Sequence, residues 1–170
     1  MNDSGQVGGL IIEPMRRTDL PEVLAIERCS FAAPWSQAAF EAELEKTYAG
    51  LRVARLSGTG KVRPVLGYVC FWIVADEIQI TNLAMHIGYR RRGIGRRLMV
   101  YALQQGYKAG ARLALLEVRS SNQAARSLYE GLGFLAVQER PCYYPEYREA
   151  ALVLKLNLDP GWQRQWHMIN

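Results

Sequence analysis

Two spacings of apolar side chains alternate along the chain, and they predict most of its elements. Residues 10–12 are a short β-prone run. Thr18 or Asp19 can then cap a helix with Pro21 in its first turn, and Val23, Leu24, Ile26 and Glu27 carry that helix to about Arg28. Residues 31–36 read as a loop. Ser36 caps a second helix that reaches about Lys46, with Ala39, Phe40 and Leu44 on one stripe. Residues 51–56 and 65–74 are rich in β formers, and the Gly/Lys/Pro turn between Ser57 and Pro64 joins them as a hairpin.

Residues 77–85 form another strand, with Ile78, Ile80 and Asn82 on one side and Gln79, Thr81 and Leu83 on the other. A long helix follows from Gly93 or Ile94 to Lys108. Ile94, Leu98, Tyr101, Ala102 and Gln105 lie near one of its faces. Residues 112–118 are a continuous apolar strand that holds one carboxylate, Glu117. Asn122 caps a further helix ending at Gly131 or Gly133. Residues 134–139 and 148–156 are the last strands, separated by a Tyr- and Pro-rich loop. Early strands followed by strand-helix-strand-helix-strand predict a mixed sheet with helices on both faces.

Composition narrows the classes. A chain of 170 residues with 49% hydrophobic content suits one domain that buries about 70% of its unfolded surface. The expected division is a loose N-terminus at 1–9, a domain at 10–157 and a C-terminal extension at 158–170. Cys29, Cys70 and Cys142 are odd in number and far apart, and the histidines are His86 and His167. That spacing argues against a disulfide framework or a structural metal site. No apolar run reaches the length of a membrane span, and the polar start lacks the parts of a secretory signal. Cytoplasmic residence is the expectation.

The net charge of +5 favours an anionic ligand or nucleic acid without choosing between them. Its distribution says more. Arg90, Arg91, Arg92, Arg96 and Arg97 crowd around Gly93 and Gly95, where a strand gives way to a helix. Unpaired amides at a helix start favour anions, and glycines let a phosphate approach the main chain. A plain basic helix cap is the alternative. A Walker loop would need Gly-Lys-Ser/Thr, which is missing. A Rossmann turn would need a third glycine where Leu98 stands, although Glu117 lies near the expected distance for its acidic residue.

The stretch from Arg90 to Gly95 resembles the Arg/Gln-x-x-Gly-x-Gly/Ala acetyl-CoA motif of the GNAT acetyltransferases. Asn82-Leu83-Ala84-Met85 resembles the strand before that motif. Leu116 to Asn122 and Ala125 to Phe134 resemble the second half of the fold. Ala33-Pro34-Trp35-Ser36 and Tyr143-Tyr144-Pro145 are similar to the substrate-side loops of the ribosomal-protein-alanine N-acetyltransferases, the RimI group. The likeness covers most of residues 10–156. It implies the acyl-CoA N-acyltransferase fold, an α+β arrangement with a mixed, mostly antiparallel sheet of about seven strands and helices on both faces.

The resemblance also implies roles. Leu83, Ala84 and Met85 would offer main-chain groups to the pantetheine arm of acetyl-CoA. Arg91, Arg92, Gly93, Ile94, Gly95 and Arg96 would hold its diphosphate, and Asn122 would contact pantetheine. Glu117 would act as general base through water and Tyr129 as proton donor to the thiolate. Trp35, Tyr143 and Tyr144 would line the acceptor slot. No metal is implied. The acceptor would be a protein N-terminus, that of a ribosomal protein, and the enzyme a monomer or weak homodimer without membrane or direct nucleic-acid contact.

Each role has a plainer counterpart: an N-cap for Asn122, an ion pair with Arg119 or another arginine for Glu117, core packing for Tyr129, and ordinary packing or turn positions for Trp35, Tyr143 and Tyr144. Partial burial would raise the Glu117 pKa towards a useful range. An α-amine, with a pKa of about 8 against about 10.4 for lysine, suits a distant base better. Lysine, a small amine, or a basic RNA-binding domain remain the alternatives. Trp162 and Trp166, four apart near Ile169, can form a stripe that docks on the domain or meets a partner.

Overall fold

Leu10, Ile11 and Ile12 open strand β1 (Leu10–Pro14), which runs antiparallel to β2 (Ala49–Leu56) with Ile12 opposite Ala54. A computed structural model of the chain describes residues 9–57, 63–144 and 149–166, and the side chains of 142–144 are not among those described. The remaining strands are β3 (Gly67–Val74), β4 (Glu77–Met85), β5 (Leu113–Arg119), β6 (Leu135–Tyr144) and β7 (Glu149–Asn157). They form one seven-stranded sheet in the order β1-β2-β3-β4-β5-β7-β6. β4 and β5 pair parallel, while β5 with β7 and β6 with β7 pair antiparallel. A parallel step needs a crossover rather than a hairpin. Helix α3 (Ile94–Lys108) supplies it. The mixed, mostly antiparallel sheet expected from the sequence is therefore present.

The chain divides into two compact units. The first reaches to Cys70 and takes in Asn82–Leu98, and the second comprises Phe71–Thr81 and the described residues from Met99 onward.

In the first unit, helix α1 (Leu20–Ser30) buries Leu20, Val23, Leu24, Ile26 and Glu27. The four aliphatic residues pack with Phe40, Leu51, Val53 and Tyr68 into one core. Asp19 occupies the N-cap position, but its carboxylate does not cap the helix. It accepts from the Arg16 N–H at 2.8 Å and pairs with Arg55. Arg55 is 8% exposed and also pairs with Glu13 at 3.0 Å, so Asp19 is one of the carboxylates that neutralise a buried guanidinium. Helix α2 (Gln37–Leu44) starts where Ser36 Oγ accepts from the Ala39 N–H at 3.1 Å, and it stops short of Lys46. β3 begins at Gly67 rather than at Val65, whose N–H goes instead to Glu22 Oε2. The expected hairpin turn between these strands falls largely on 58–62, outside the described residues.

In the second unit, α3 packs so close to β4 that a Cβ at Gly106 would meet Ile78 at 3.0 Å. The buried residues of α3 in this unit are Met99, Val100, Ala102, Leu103 and Gly106. Tyr101 and Gln105, expected on one face with Ala102, are only half-buried. Helix α4 (Gln123–Glu130) is capped by Asn122, and Gly133 at φ +93 turns the chain into β6. β6 runs on through Tyr144, where a loop was expected after Glu139. It is an edge strand, where proline is tolerated, and Pro141 falls within the register shift between Arg140 and Tyr144. The tail forms helix α5 (Pro160–Trp166), with Trp162 and Trp166 both buried, as the docking reading expects. Asp159 Oδ1 accepts from the Trp162 N–H at 2.7 Å and starts it. Ile169 lies outside the described residues.

Candidate active site

The arginine-rich turn belongs to the first unit. Arg91 and Gly93 both adopt left-handed backbone, at φ 62 and φ 76. A Cβ at Gly93 would meet nothing within 4 Å, so the glycine is favoured by its left-handed backbone and not by crowding. The first intrahelical bond of α3 runs from the Arg97 N–H to the Gly93 carbonyl at 3.1 Å. Amides ahead of it have no carbonyl one turn back within the helix, and the helix dipole adds to their pull on an anion. Ile94 turns its side chain into the core, leaving its main chain for a ligand. Arg91 and Arg92 are exposed, and Arg92 lies 5.2 Å over the Tyr89 ring. Arg90 is committed elsewhere: it donates to the Met85 carbonyl at 3.3 Å and to Ser30 Oγ at 3.1 Å, which braces the turn.

These features fit a diphosphate. Gly93→Ala is expected to weaken acetyl-CoA binding about tenfold, because a β-carbon in left-handed backbone costs roughly 1–2 kcal/mol. Calorimetric titration of the coenzyme checks this. An unchanged affinity would remove the turn from the binding site.

Leu83, Ala84 and Met85 lie at the end of β4, beyond the stretch Glu77–Ile80 that pairs with β5. Ala84 is buried in the first unit's core, while Leu83 and Met85 are half-buried. Whatever Ala84 offers a ligand comes from its main chain.

Glu117, Asn122 and Tyr129 all belong to the second unit. β5 buries Ala114, Leu116 and Val118 on one face, and Glu117 projects from the less buried face. Its Oε1 pairs with Arg140 Nη1 at 2.7 Å, with the two side chains 24% and 44% exposed. The sheet order explains the partner. Glu117 stands opposite Val153 on β7, and Arg140 on β6 stands opposite Ala151, two residues along the same face of β7. Arg140 thus reaches across β7 on a diagonal. The expected ion pair with an arginine is present, and the arginine is Arg140. Asn122 is exposed, and its Oδ1 accepts from the Ala125 N–H at 3.1 Å. Tyr129 is the buried residue of α4, its ring 6.0 Å from that of Phe134 at 60°. Burial pushes its phenol up to about 12.

Trp35 is half-buried, with its ring tilted against Phe40 at 5.3 Å and its main-chain N–H donated to Glu27 Oε1 at 2.8 Å. Tyr143 and Tyr144 have their backbone in β6, and their side chains lie outside the described ones.

The model of the acetyltransferase (GNAT) family matches residues 20–134 of this sequence. The chain belongs to the GNAT family. The ribosomal protein bS18-alanine N-acetyltransferase of Escherichia coli strain K12 is 35% identical to this GNAT chain over 147 residues, covering 85% of it and 95% of the relative. The crystal structure of the Escherichia coli ribosomal-protein-S18-alanine N-acetyltransferase superposes with a TM-score of 0.77 at 32% identity, covering 88% of this chain and 94% of that one. Arabidopsis thaliana NAA60 in complex with acetyl-CoA shares the fold, with a TM-score of 0.79 at 18% identity and coverage of 88% and 98%. At such identity to its relatives, this GNAT chain is an acyltransferase that acetylates nitrogen.

The sequence reading assigned no partner to Arg140, in the second unit, or to Glu27, in the first. Arg140 carried no local signal, because its approach to Glu117 depends on β7 lying between β5 and β6. Glu27 did carry one: it stands four residues after Val23 and three after Leu24, on the buried stripe of α1. Among the described residues no three His, Cys, Asp or Glu are grouped so as to hold a metal ion, and no described helix is long and apolar enough to cross a membrane.

Proposed function

We propose that the chain transfers the acetyl group of acetyl-CoA to the N-terminal α-amine of a protein, with the N-terminal alanine of a small-subunit ribosomal protein as its acceptor in the cytoplasm. The observation that carries the mechanism is a half-buried carboxylate on β5 together with a buried, protonated phenol on α4 of the same unit. Acetyl-CoA supplies an activated thioester. The chain must then remove a proton from the incoming amine and deliver one to the departing sulfur. Arg140 engages Glu117 Oε1, which leaves the other carboxylate oxygen to take the amine proton through a water. Tyr129 Oη, held protonated by its burial, gives its proton to the thiolate. The turn from Arg91 to Arg96 holds the diphosphate, the main chain of Leu83 to Met85 pairs with the pantetheine arm, and the Asn122 side-chain amide contacts that arm while its Oδ1 caps α4.

An α-amine of pKa about 8 is far more often unprotonated at neutral pH than a lysine of about 10.4, and a water-relayed carboxylate suits the easier proton. Trp35, Tyr143 and Tyr144 would flank the peptide. The test is acetyl transfer to an alanine-starting peptide, to the same peptide with its N-terminus blocked and a lysine within it, and to free polyamine. Transfer should be confined to the first. Equal rates on the first two would sink the acceptor assignment.

A further inference from the structure

Glu27 is a carboxylate only 1% exposed, on a helix whose other inward residues are aliphatic. No ion pair to it exists among the described residues, so its charge is met by hydrogen bonds alone. Oε1 accepts from the Trp35 main-chain N–H at 2.8 Å. Oε2 accepts from the Tyr68 hydroxyl. The Asn82 amide donates to both oxygens, at 3.3 and 3.2 Å. Burying a charged carboxylate is expensive unless its lone pairs are filled, and here three donors from three different segments fill them.

The donors belong to distinct parts of the first unit. Trp35 lies in the loop between α1 and α2, Tyr68 on β3, and Asn82 on β4 immediately before Leu83, Ala84 and Met85. The rings close the same circuit. Trp35 packs on Phe40, and Phe40 meets the Tyr68 ring edge-on at 5.6 Å. Trp35 is thus gripped twice, by its main chain through Glu27 and by its ring through Phe40. Helix α1 ends just upstream, where the Phe31 N–H returns to the Glu27 carbonyl at 3.0 Å. One residue therefore ties down both ends of the five-residue path from Phe31 to Trp35.

We propose that Glu27 is a positioning residue for acceptor recognition, holding the Phe31–Trp35 loop in a fixed shape against β3 and β4 so that it forms a preformed wall for the acceptor peptide. The proposal rests on the N-terminal acetyltransferase reading above. Preorganisation of this kind acts on acceptor binding, because the loop's ordering is complete before the peptide arrives. The proton transfers assigned to Glu117 and Tyr129 do not pass through Glu27.

The test uses the full chain with Glu27→Gln, which keeps the shape but turns an amide NH₂ towards groups that are themselves donors, and Tyr68→Phe, which keeps the ring contacts and removes one donor. Expected for Glu27→Gln is an acceptor KM raised about tenfold with kcat within about threefold. Acetyl-CoA affinity should be unchanged, and hydrogen exchange at the Trp35 amide should be accelerated at least about tenfold. Tyr68→Phe should fall between Glu27→Gln and wild type in both KM and exchange. The proposal is overturned if KM, kcat and coenzyme affinity deteriorate together, or if the Trp35 amide stays as protected as in wild type. Should Glu27→Gln fail to fold, Tyr68→Phe alone decides by the same two readouts. Should the wild-type chain acetylate no peptide, the acceptor reading has failed and this proposal with it. Accelerated Trp35 exchange in the variants would then mark Glu27 as a loop brace and nothing more.

Discussion

Glu117→Gln is expected to lower kcat by about a thousandfold at neutral pH, within the range for loss of a positioned general base. Folding and acetyl-CoA affinity should both survive. The substitution keeps the shape of the side chain on β5 and gives up the pair with Arg140. Since the two side chains are 24% and 44% exposed, that pair contributes no more than about 1 kcal/mol to stability. A thermal melt close to wild type, beside the collapse in turnover, would separate chemistry from fold. Stopped assays with an alanine-starting peptide and calorimetric titration of the coenzyme give the two numbers. Retention of more than about a tenth of wild-type kcat would exclude Glu117 as the base.

Tyr129→Phe should lower kcat by about a hundredfold, less than the loss at Glu117, because thiolate is a tolerable leaving group and water can protonate it more slowly. The ring contact with Phe134 is kept, so neutral-pH stability should be close to wild type. This variant has a second signature in alkali. The folded phenol titrates at about 12, against about 10 when unfolded. The folded state therefore holds its proton more tightly. The associated stability is fully present below pH 10 and is lost as pH rises from 10 through 12, an effect of about 3 kcal/mol at most. Tyr68, whose phenol is also raised by burial and by the neighbouring Glu27 carboxylate, adds a loss of the same sign. Between pH 10 and 12 the melting temperature of Tyr129→Phe should fall less steeply than that of wild type. Parallel slopes would mean that this phenol is not buried as described.

The parts of the site that were legible in the sequence are those whose chemistry is local. Glycines among arginines beside a helix start announce themselves in a few residues, and the structure adds that Gly93 has left-handed backbone. Asn122 could be read as a cap because an asparagine before a helix has one short-range use, and its Oδ1 takes it up. What sheet order decides was not legible. The chain meets β5, β6 and β7 in sequence, but β7 lies between the other two, so the Arg140 partner of Glu117 could be anticipated only as some arginine. Pro141 argued for a loop, and only its position on an edge strand lets it stand in β6. Glu27 was visible on its apolar stripe, yet its partners Tyr68 and Asn82 lie 41 and 55 residues away. Asp19 is one of two candidate caps in the sequence, and nothing near it reveals the buried guanidinium of Arg55 with which it pairs.

Arg91 and Arg92 stand exposed at the turn, ahead of the helix amides. If they hold the coenzyme as proposed, their field would extend beyond contact range and draw that polyanion inward before any bond forms, so electrostatics should set the speed of capture more than its tightness. Raising ionic strength from 0.1 M to 1 M shortens the reach of that field from about 10 Å to about 3 Å. Coenzyme encounter would then slow, whereas escape of the bound molecule, governed by close contacts, would change little.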